Sequence, residues 1–232
     1  MFDSHFLLNT YILGIFLLMT SLSTKGQEDG TDYVDLGLSS GLLWATRNMG
    51  DDTHNRSSSF YAWGETETKE FYSWENYKWK DSTGVFIKYC FDVENVNDDN
   101  KSILESADDV AKVQKGSEWR MPTYDETVEL LDGCTWKWVS DYRNTGVPGM
   151  VGTSKKNGNS IFFPADGYRS VEGQHPHRTC GFYWTASLYE NSDVSAYGFY
   201  FCKDLMISVF YGLRCHGHSV RAVLDKSKSE GY

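Results

Sequence analysis

No Cys-x-x-Cys pair occurs in the chain, so its five cysteines, Cys90, Cys134, Cys180, Cys202 and Cys215, build neither a zinc ribbon nor a thioredoxin-type motif. His-Glu-x-x-His and glycine-rich phosphate loops are also missing, which removes two familiar kinds of enzyme site. Positive charge is scarce: 22 Lys and Arg stand against 32 Asp and Glu, a formal net charge of -10. A field of that sign repels phosphate backbones and argues against nucleic-acid partners. There is no repeat of fixed period and no low-complexity linker. The longest apolar stretch falls short of the roughly 20 residues that a helical membrane span needs.

Aromatic rings, by contrast, are abundant: 8 Trp, 15 Tyr and 13 Phe make up 16% of the 232 residues. Such side chains bury large areas, and Tyr also suits binding faces. The length favours one domain. Phe6 to Met19 is mostly apolar and is followed by Thr20, Ser21, Ser23, Thr24 and Lys25-Gly26-Gln27, which reads as a secretory signal peptide over 1–26, although Met1 to His5 holds Asp3 and no basic residue. The expected mature unit is a single domain over 27–225 with a polar tail over 226–232, exported to the periplasm, the cell surface or the medium, with no membrane span. No cysteine precedes Cys90, so no lipoprotein anchor is expected at the cleavage point. In an exported chain, disulfides are permitted and an odd count leaves at least one thiol free.

From Asp32 to Leu224 short runs of Tyr, Phe, Val, Ile and Trp alternate with Gly, Asn, Asp and Ser clusters. The pattern predicts strands over 33–36, 43–46, 59–63, 160–163, 181–185, 197–202, 207–211 and 219–224. A short helix is predicted near Ser106–Val113, with acidic residues at its start. A second begins after Pro122, where Thr123 and Glu126 fit a capping box, and ends at Gly133. The fold class is α+β: two short helices, a mostly antiparallel twisted sheet and long irregular loops.

Five blocks in order carry a family resemblance: Tyr33-Val-Asp-Leu-Gly-Leu-Ser-Ser-Gly-Leu-Leu-Trp-Ala-Thr46, Phe60-Tyr-Ala-Trp-Gly-Glu-Thr66, Trp119-Arg-Met-Pro-Thr123, Gly158-Asn-Ser-Ile-Phe-Phe-Pro-Ala-Asp-Gly-Tyr-Arg169, and Tyr183-Trp-Thr-Ala-Ser187 with Ser219-Val-Arg-Ala-Val223. Over about residues 32–224 the chain resembles secreted proteins of Bacteroides-type gut anaerobes that carry the Fibrobacter succinogenes major paralogous domain. The resemblance implies a C-type-lectin-like fold, similar also to that of the sulfatase-modifying enzymes. It further implies that Leu188–His218 is a recognition surface, the segment that retroelements diversify in some relatives. Departures limit what carries over. Arg47 stands where family members often have Cys, which bears on the pairing of Cys90. The close reactive cysteine pair of the sulfatase-modifying enzymes is missing. So are the Glu-Pro-Asn, Gln-Pro-Asp and Trp-Asn-Asp triplets of calcium-dependent sugar binding; Gln174-His175-Pro176 comes nearest.

The function expected is thus a non-enzymatic binding module for a glycan or a protein; the alternatives are a structural subunit of a surface appendage and, behind it, an enzyme of the sulfatase-modifying type. With a turn at Lys203–Met206, Cys202 would face Ile207, Tyr200 would face Val209 and Gly198 would face Tyr211, on the core side of the pleat. Tyr197, Phe199, Phe201, Ser208, Phe210 and Arg214 would share the opposite side. A 202–215 hairpin disulfide is not expected in this register. The candidate ligand-binding residues are Tyr189, Asn191, Asp193, Tyr197, Phe199, Lys203, Ser208, Phe210, Arg214, His216 and His218, with no catalytic residue among them. No cofactor is expected. Calcium remains open for the acids Asp92, Glu94, Asp98, Asp99, Glu105, Asp108 and Asp109. Zinc at His175/His177 or His216/His218 is the weaker reading.

Overall fold

A computed structural model describes residues 32–51, 59–91, 99–175 and 178–226. The expected signal peptide, Asp92, Glu94, Asp98, His177 and the tail beyond Lys226 lie outside the described residues. The class is α+β, and the strand pairs are antiparallel.

Four strands, β1 (Tyr33–Asp35), β2 (Leu43–Ala45), β12 (Val223–Leu224) and β3 (Trp119–Arg120), form one sheet in that order. A second has the order β11 (Leu205–Leu213), β10 (Ser195–Cys202), β9 (Cys180–Leu188). A third runs β4 (Cys134–Val139), β5 (Gly149–Ser154), β6 (Ser160–Pro164), and β7 (Tyr168–Ser170) pairs with β8 (Gly173–His175). The expected strand over 59–63 is reduced to one bridge, Tyr61 to His218, with the Trp63 amide donating to the Arg214 carbonyl.

The helices follow local chemistry. Asp109 caps α1 (Val110–Lys115), its carboxylate accepting from the Ala111 and Lys112 amides. In α2 (Tyr124–Gly133) the Thr123 hydroxyl accepts from the Glu126 amide and the Glu126 carboxylate accepts from the Thr123 amide. Arg120 clamps the same carboxylate with two nitrogens, at 2.7 and 2.6 Å, which fixes where α2 starts relative to β3.

Three apolar clusters fill the interior. The first joins Leu36, Trp44, Leu130, Ile161, Phe163, Tyr183, Phe199, Phe201 and Val223. A second gathers Trp63, Tyr89, Val110, Met121, Trp184, Leu188 and Val220, and a third Phe60, Tyr72, Tyr77, Phe86, Cys90 and Cys215. Residues 59–91 hold little regular structure, and two buried arginines organise their surroundings. The Arg214 guanidinium donates to the Tyr77 hydroxyl (2.9 Å) and to the carbonyls of Lys88 (3.0 Å), Tyr89 (3.0 Å) and Asp193 (2.7 Å). The rings of Phe86, Trp63 and Tyr77 surround it, with centroids 4.8, 5.0 and 5.3 Å from Cζ. None of these partners is a carboxylate; backbone dipoles and ring faces hold the charge. Arg221 repeats the device: it donates to the Asn48 side-chain oxygen and to the carbonyls of Ala45 and Phe162, and it lies over Phe163.

Arg214→Ala empties the cage and strands its acceptors, so urea unfolding should show a loss of about 3–5 kcal/mol. Tyr77→Phe removes one of these acceptors and the hydroxyl's own bond to the Trp63 carbonyl, and should cost about 2 kcal/mol. A smaller loss for Arg214→Ala than for Tyr77→Phe would show that the guanidinium does not hold these loops.

Candidate functional site

Strands β10 and β11 place the candidate residues. The observed pairs are Tyr197 with Tyr211, Gly198 with Phe210, Phe199 with Val209 and Tyr200 with Ser208. A bulge between Tyr200 and Cys202 then brings Cys202 opposite Leu205 across a two-residue turn at Lys203-Asp204. The expected register is therefore off by one residue, and in a strand one residue exchanges the faces.

The exchange corrects the expected sides. Phe199 and Phe201 are buried, not presented. Phe199 stacks on Tyr183, with centroids 4.9 Å apart, and meets Phe163 edge-on at 5.1 Å. Tyr200, expected in the core, is half-buried on the other face, parallel to Phe182 and edge-on to Phe210. Cys202, expected there too, is bonded to Cys180 of β9 and not to Cys215. Cys90, Cys134 and Cys215 are buried free thiols. Burial pushes the Cys134 thiol up to about 11 and the Cys215 thiol up to about 12, so neither is a thiolate at neutral pH.

Two aromatic groups emerge on opposite sides of the hairpin. On the even-numbered side, Phe182 meets Tyr200 and Phe210 and adjoins Tyr168, which stacks with both His175 (5.2 Å) and His216 (5.4 Å). His218 lies beneath, buried and stacked on Trp184 at 3.9 Å, and its Nδ1 has no hydrogen-bond partner among the described residues. Burial, and then the nearby His216, hold His218 well below the ordinary histidine range; burial, and then His175, lower His216.

The odd-numbered side ends in a row of tyrosines. Tyr211 is 58% exposed, yet it lies 4.2 Å from Tyr189 with ring planes within 3°. Tyr189 meets Tyr197 edge-on at 5.2 Å, and Tyr197 lies 4.3 Å from Tyr124. The Tyr197 hydroxyl donates to the Glu190 carboxylate and lowers its pKa. Tyr124 is set by the helix start, its amide donating to the Ser187 hydroxyl at 3.0 Å. Tyr211 and Tyr124 are missed by the sequence reading; the first was assigned to the core side, the second only to a helix start.

The other candidates separate. Asn191 and Lys203 are exposed in turns, and Ser208 is exposed on the even side. Asp193 accepts from the Phe91 amide through its side chain and from Arg214 through its carbonyl. Arg214 and His218 are buried, so neither offers a hydrogen bond to a ligand; their sequence positions beside an aromatic strand conceal that the chain turns inward there. Among the acids, Glu105 pairs with Lys88 and Lys101, Asp108 with Lys88 and Tyr89, and Asp109 caps α1. Among the described residues no three His, Cys, Asp or Glu side chains come together to hold a metal ion. The run Gly37-Leu38-Ser39-Ser40-Gly41 spells Gly-x-Ser-x-Gly, but it joins antiparallel β1 and β2 and does not form the strand-to-helix elbow that hydrolases need. No helix among the described residues is long and apolar enough to cross a membrane.

No family model, no curated protein and no solved structure matches the chain.

A histidine kept neutral by burial binds its proton more weakly folded than unfolded. Its unfavourable contribution is absent above the unfolded value of about 6.5 and grows as pH falls below it. Wild type should lose stability between pH 7 and 5 faster than His218→Phe, by up to about 1.4 kcal/mol per pH unit. Parallel urea titrations of the two proteins at each pH measure the difference; identical slopes would place His218 in solvent.

Proposed function

We propose that this protein is an exported, non-enzymatic binding module with a C-type-lectin-like fold that holds a glycan on its tyrosine row. One observation carries the reading: Tyr211 is more than half exposed and yet held in a parallel stack against Tyr189. An exposed ring gains little from burial in the fold. A ring already fixed in place loses little freedom when a ligand stacks on it. The outer face of Tyr211, backed by Tyr189, matches the flat apolar face of a pyranose ring. Glu190 and Asn191, in the exposed turn between β9 and β10, supply acceptors and a donor for sugar hydroxyls. Arg214 and His218 leave the set of donors named from the sequence. Phe199 leaves the set of stacking rings.

The five ordered sequence blocks support a place in the Fibrobacter succinogenes major paralogous domain family, and the apolar leader supports export. The buried thiols favour binding over cysteine chemistry. No cofactor enters the proposal.

A glycan array probed with the 27–232 chain should give discrete hits that Tyr189→Ala/Tyr211→Ala loses. Each ring contributes about 0.5–1.5 kcal/mol, so affinity should fall roughly threefold to tenfold per substitution. The melting temperature of the single variant Tyr211→Ala should stay close to wild type, since Tyr211 is exposed. Equal binding by the double variant would sink the proposal, as would a wild-type protein that retains no glycan at all.

A further inference from the structure

The outer strands of a sheet carry unpaired amides and carbonyls, and soluble proteins protect them with shortness, charge, proline or a covering segment. Nearly every outer strand here has such protection. β1 is three residues long and ends in Asp35; β3 has two residues, one of them Arg120. β4 carries Lys137 and β6 ends in Pro164. The outer side of β9 is covered: Trp184, Ala186 and Leu188 donate to the carbonyls of Ser219, Pro122 and Ser102. β7 exchanges bonds with Gly217 through Arg169.

β11 is the exception. It is nine residues long, Leu205-Met-Ile-Ser-Val-Phe-Tyr-Gly-Leu213, with no charge and no proline, in a chain of net charge -10. It lies at the end of its sheet, and no described strand pairs with its outer side. The Arg214 amide donates to the Val194 carbonyl. In an antiparallel ladder this turns the even-numbered residues towards β10 and the odd-numbered ones outward. Val209, Tyr211 and Leu213 therefore direct their backbone groups away from the molecule, while Ile207 lies at the bulge. The side chains of Tyr211 and Leu213 are 58% and 37% exposed, and Val194 beside the strand's end is 39% exposed.

We propose that this edge is the interface with a second copy of the chain, β11 pairing antiparallel with its partner's β11 about a two-fold axis at Val209. Neutrality selects the occupant. A charged strand would leave its charges along an uncharged stripe, whereas β11 matches itself over its full length. Val209 meets Val209 on the axis, and Ile207 faces Tyr211 in each half. The contact is isologous and closes after two copies. The Val209 carbonyl accepts from the Ser208 hydroxyl and the Leu213 carbonyl from the His216 amide; each oxygen keeps a second lone pair for the partner strand. The three-stranded sheets merge into one of six strands, and the two tyrosine rows come to lie on one face. The pairing stands without the glycan reading. Its consequence, a doubled platform that fits a ligand of repeating rings, rests on it.

Sedimentation equilibrium of the 27–232 chain over about a hundredfold range of concentration should show a monomer–dimer equilibrium. Amide exchange should place the contact. Val209, Tyr211 and Leu213 should exchange at least about tenfold more slowly in the dimer, while Phe210 and Gly212 stay protected throughout. Val209→Lys sets two like charges on the axis and should give a monomer, as should Val209→Glu. An equimolar mixture of the two should recover the dimer mass. A wild-type monomer at every concentration overturns the proposal. So does a dimer whose outward amides exchange as they do on dilution. If the variants fail to fold, wild-type exchange alone decides. Glycan binding by a monomer would refute the pairing and leave the binding module standing; a dimer without glycan binding would do the reverse.

Discussion

A buried guanidinium with no carboxylate against it is the constraint on which the rest of this molecule depends. Arg214 gathers Tyr77, Lys88, Tyr89 and Asp193, groups from three separate parts of the chain, around one positive charge. Carbonyl dipoles and ring faces offset its desolvation only while all of them are in place. The arrangement is therefore cooperative. It lets residues 59–91, which contain almost no ladder, hold a fixed shape against the end of β11. Arg221 does the same for the segment after β2, through Asn48 and Ala45. The hairpin that bears the tyrosine row is thus anchored at its base by a charge and tied at its turn end by the Cys180–Cys202 bond.

What the sequence made legible was local. Thr123 with Glu126 specifies a helix start through bonds spanning three residues, and both are present; the helix expected near Ser106–Val113 begins later, at Val110, after its cap Asp109. Leu43–Ala45, Ser160–Pro164 and the β10–β11 hairpin announced themselves through their aromatic and branched residues. β4 and β5 did not. Trp136 and Trp138 lie outside the expected strands, and Gly149 and Gly152 disguise β5 as loop. Both glycines are required by close approach, since a Cβ at Gly152 would fall 2.6 Å from the Trp136 ring and one at Gly149 would fall 2.2 Å from the Phe163 carbonyl oxygen.

The candidate site failed by one residue, and for a definable reason. A four-residue turn at 203–206 and a two-residue turn with a bulge beside it give hairpins of nearly the same length but opposite phase. Nothing local in Tyr200-Phe-Cys-Lys-Asp distinguishes them; the Cys180–Cys202 bond and the packing of Phe201 over Gly181 do, and both are distant in sequence. Arg214 and His218 failed for another reason. A charged residue reads as solvent-facing unless its acceptors are visible, and those of Arg214 are backbone carbonyls that any sequence possesses. The surviving candidates, Tyr189 and Tyr197 with Asn191 nearby, lie where one face of the hairpin runs past the core.

The alternation of the hairpin also bears on how the protein can change over time. Tyr211 and Leu213 project into solvent from β11, and Asn191 sits in an exposed turn. Substitutions at these positions alter what the surface offers without touching the interior. Arg214, His218 and Arg221, a few residues further on, permit almost none. Freedom and constraint are interleaved within about thirty residues, so point changes in one short stretch can alter the exposed surface while the scaffold beneath stays as it is.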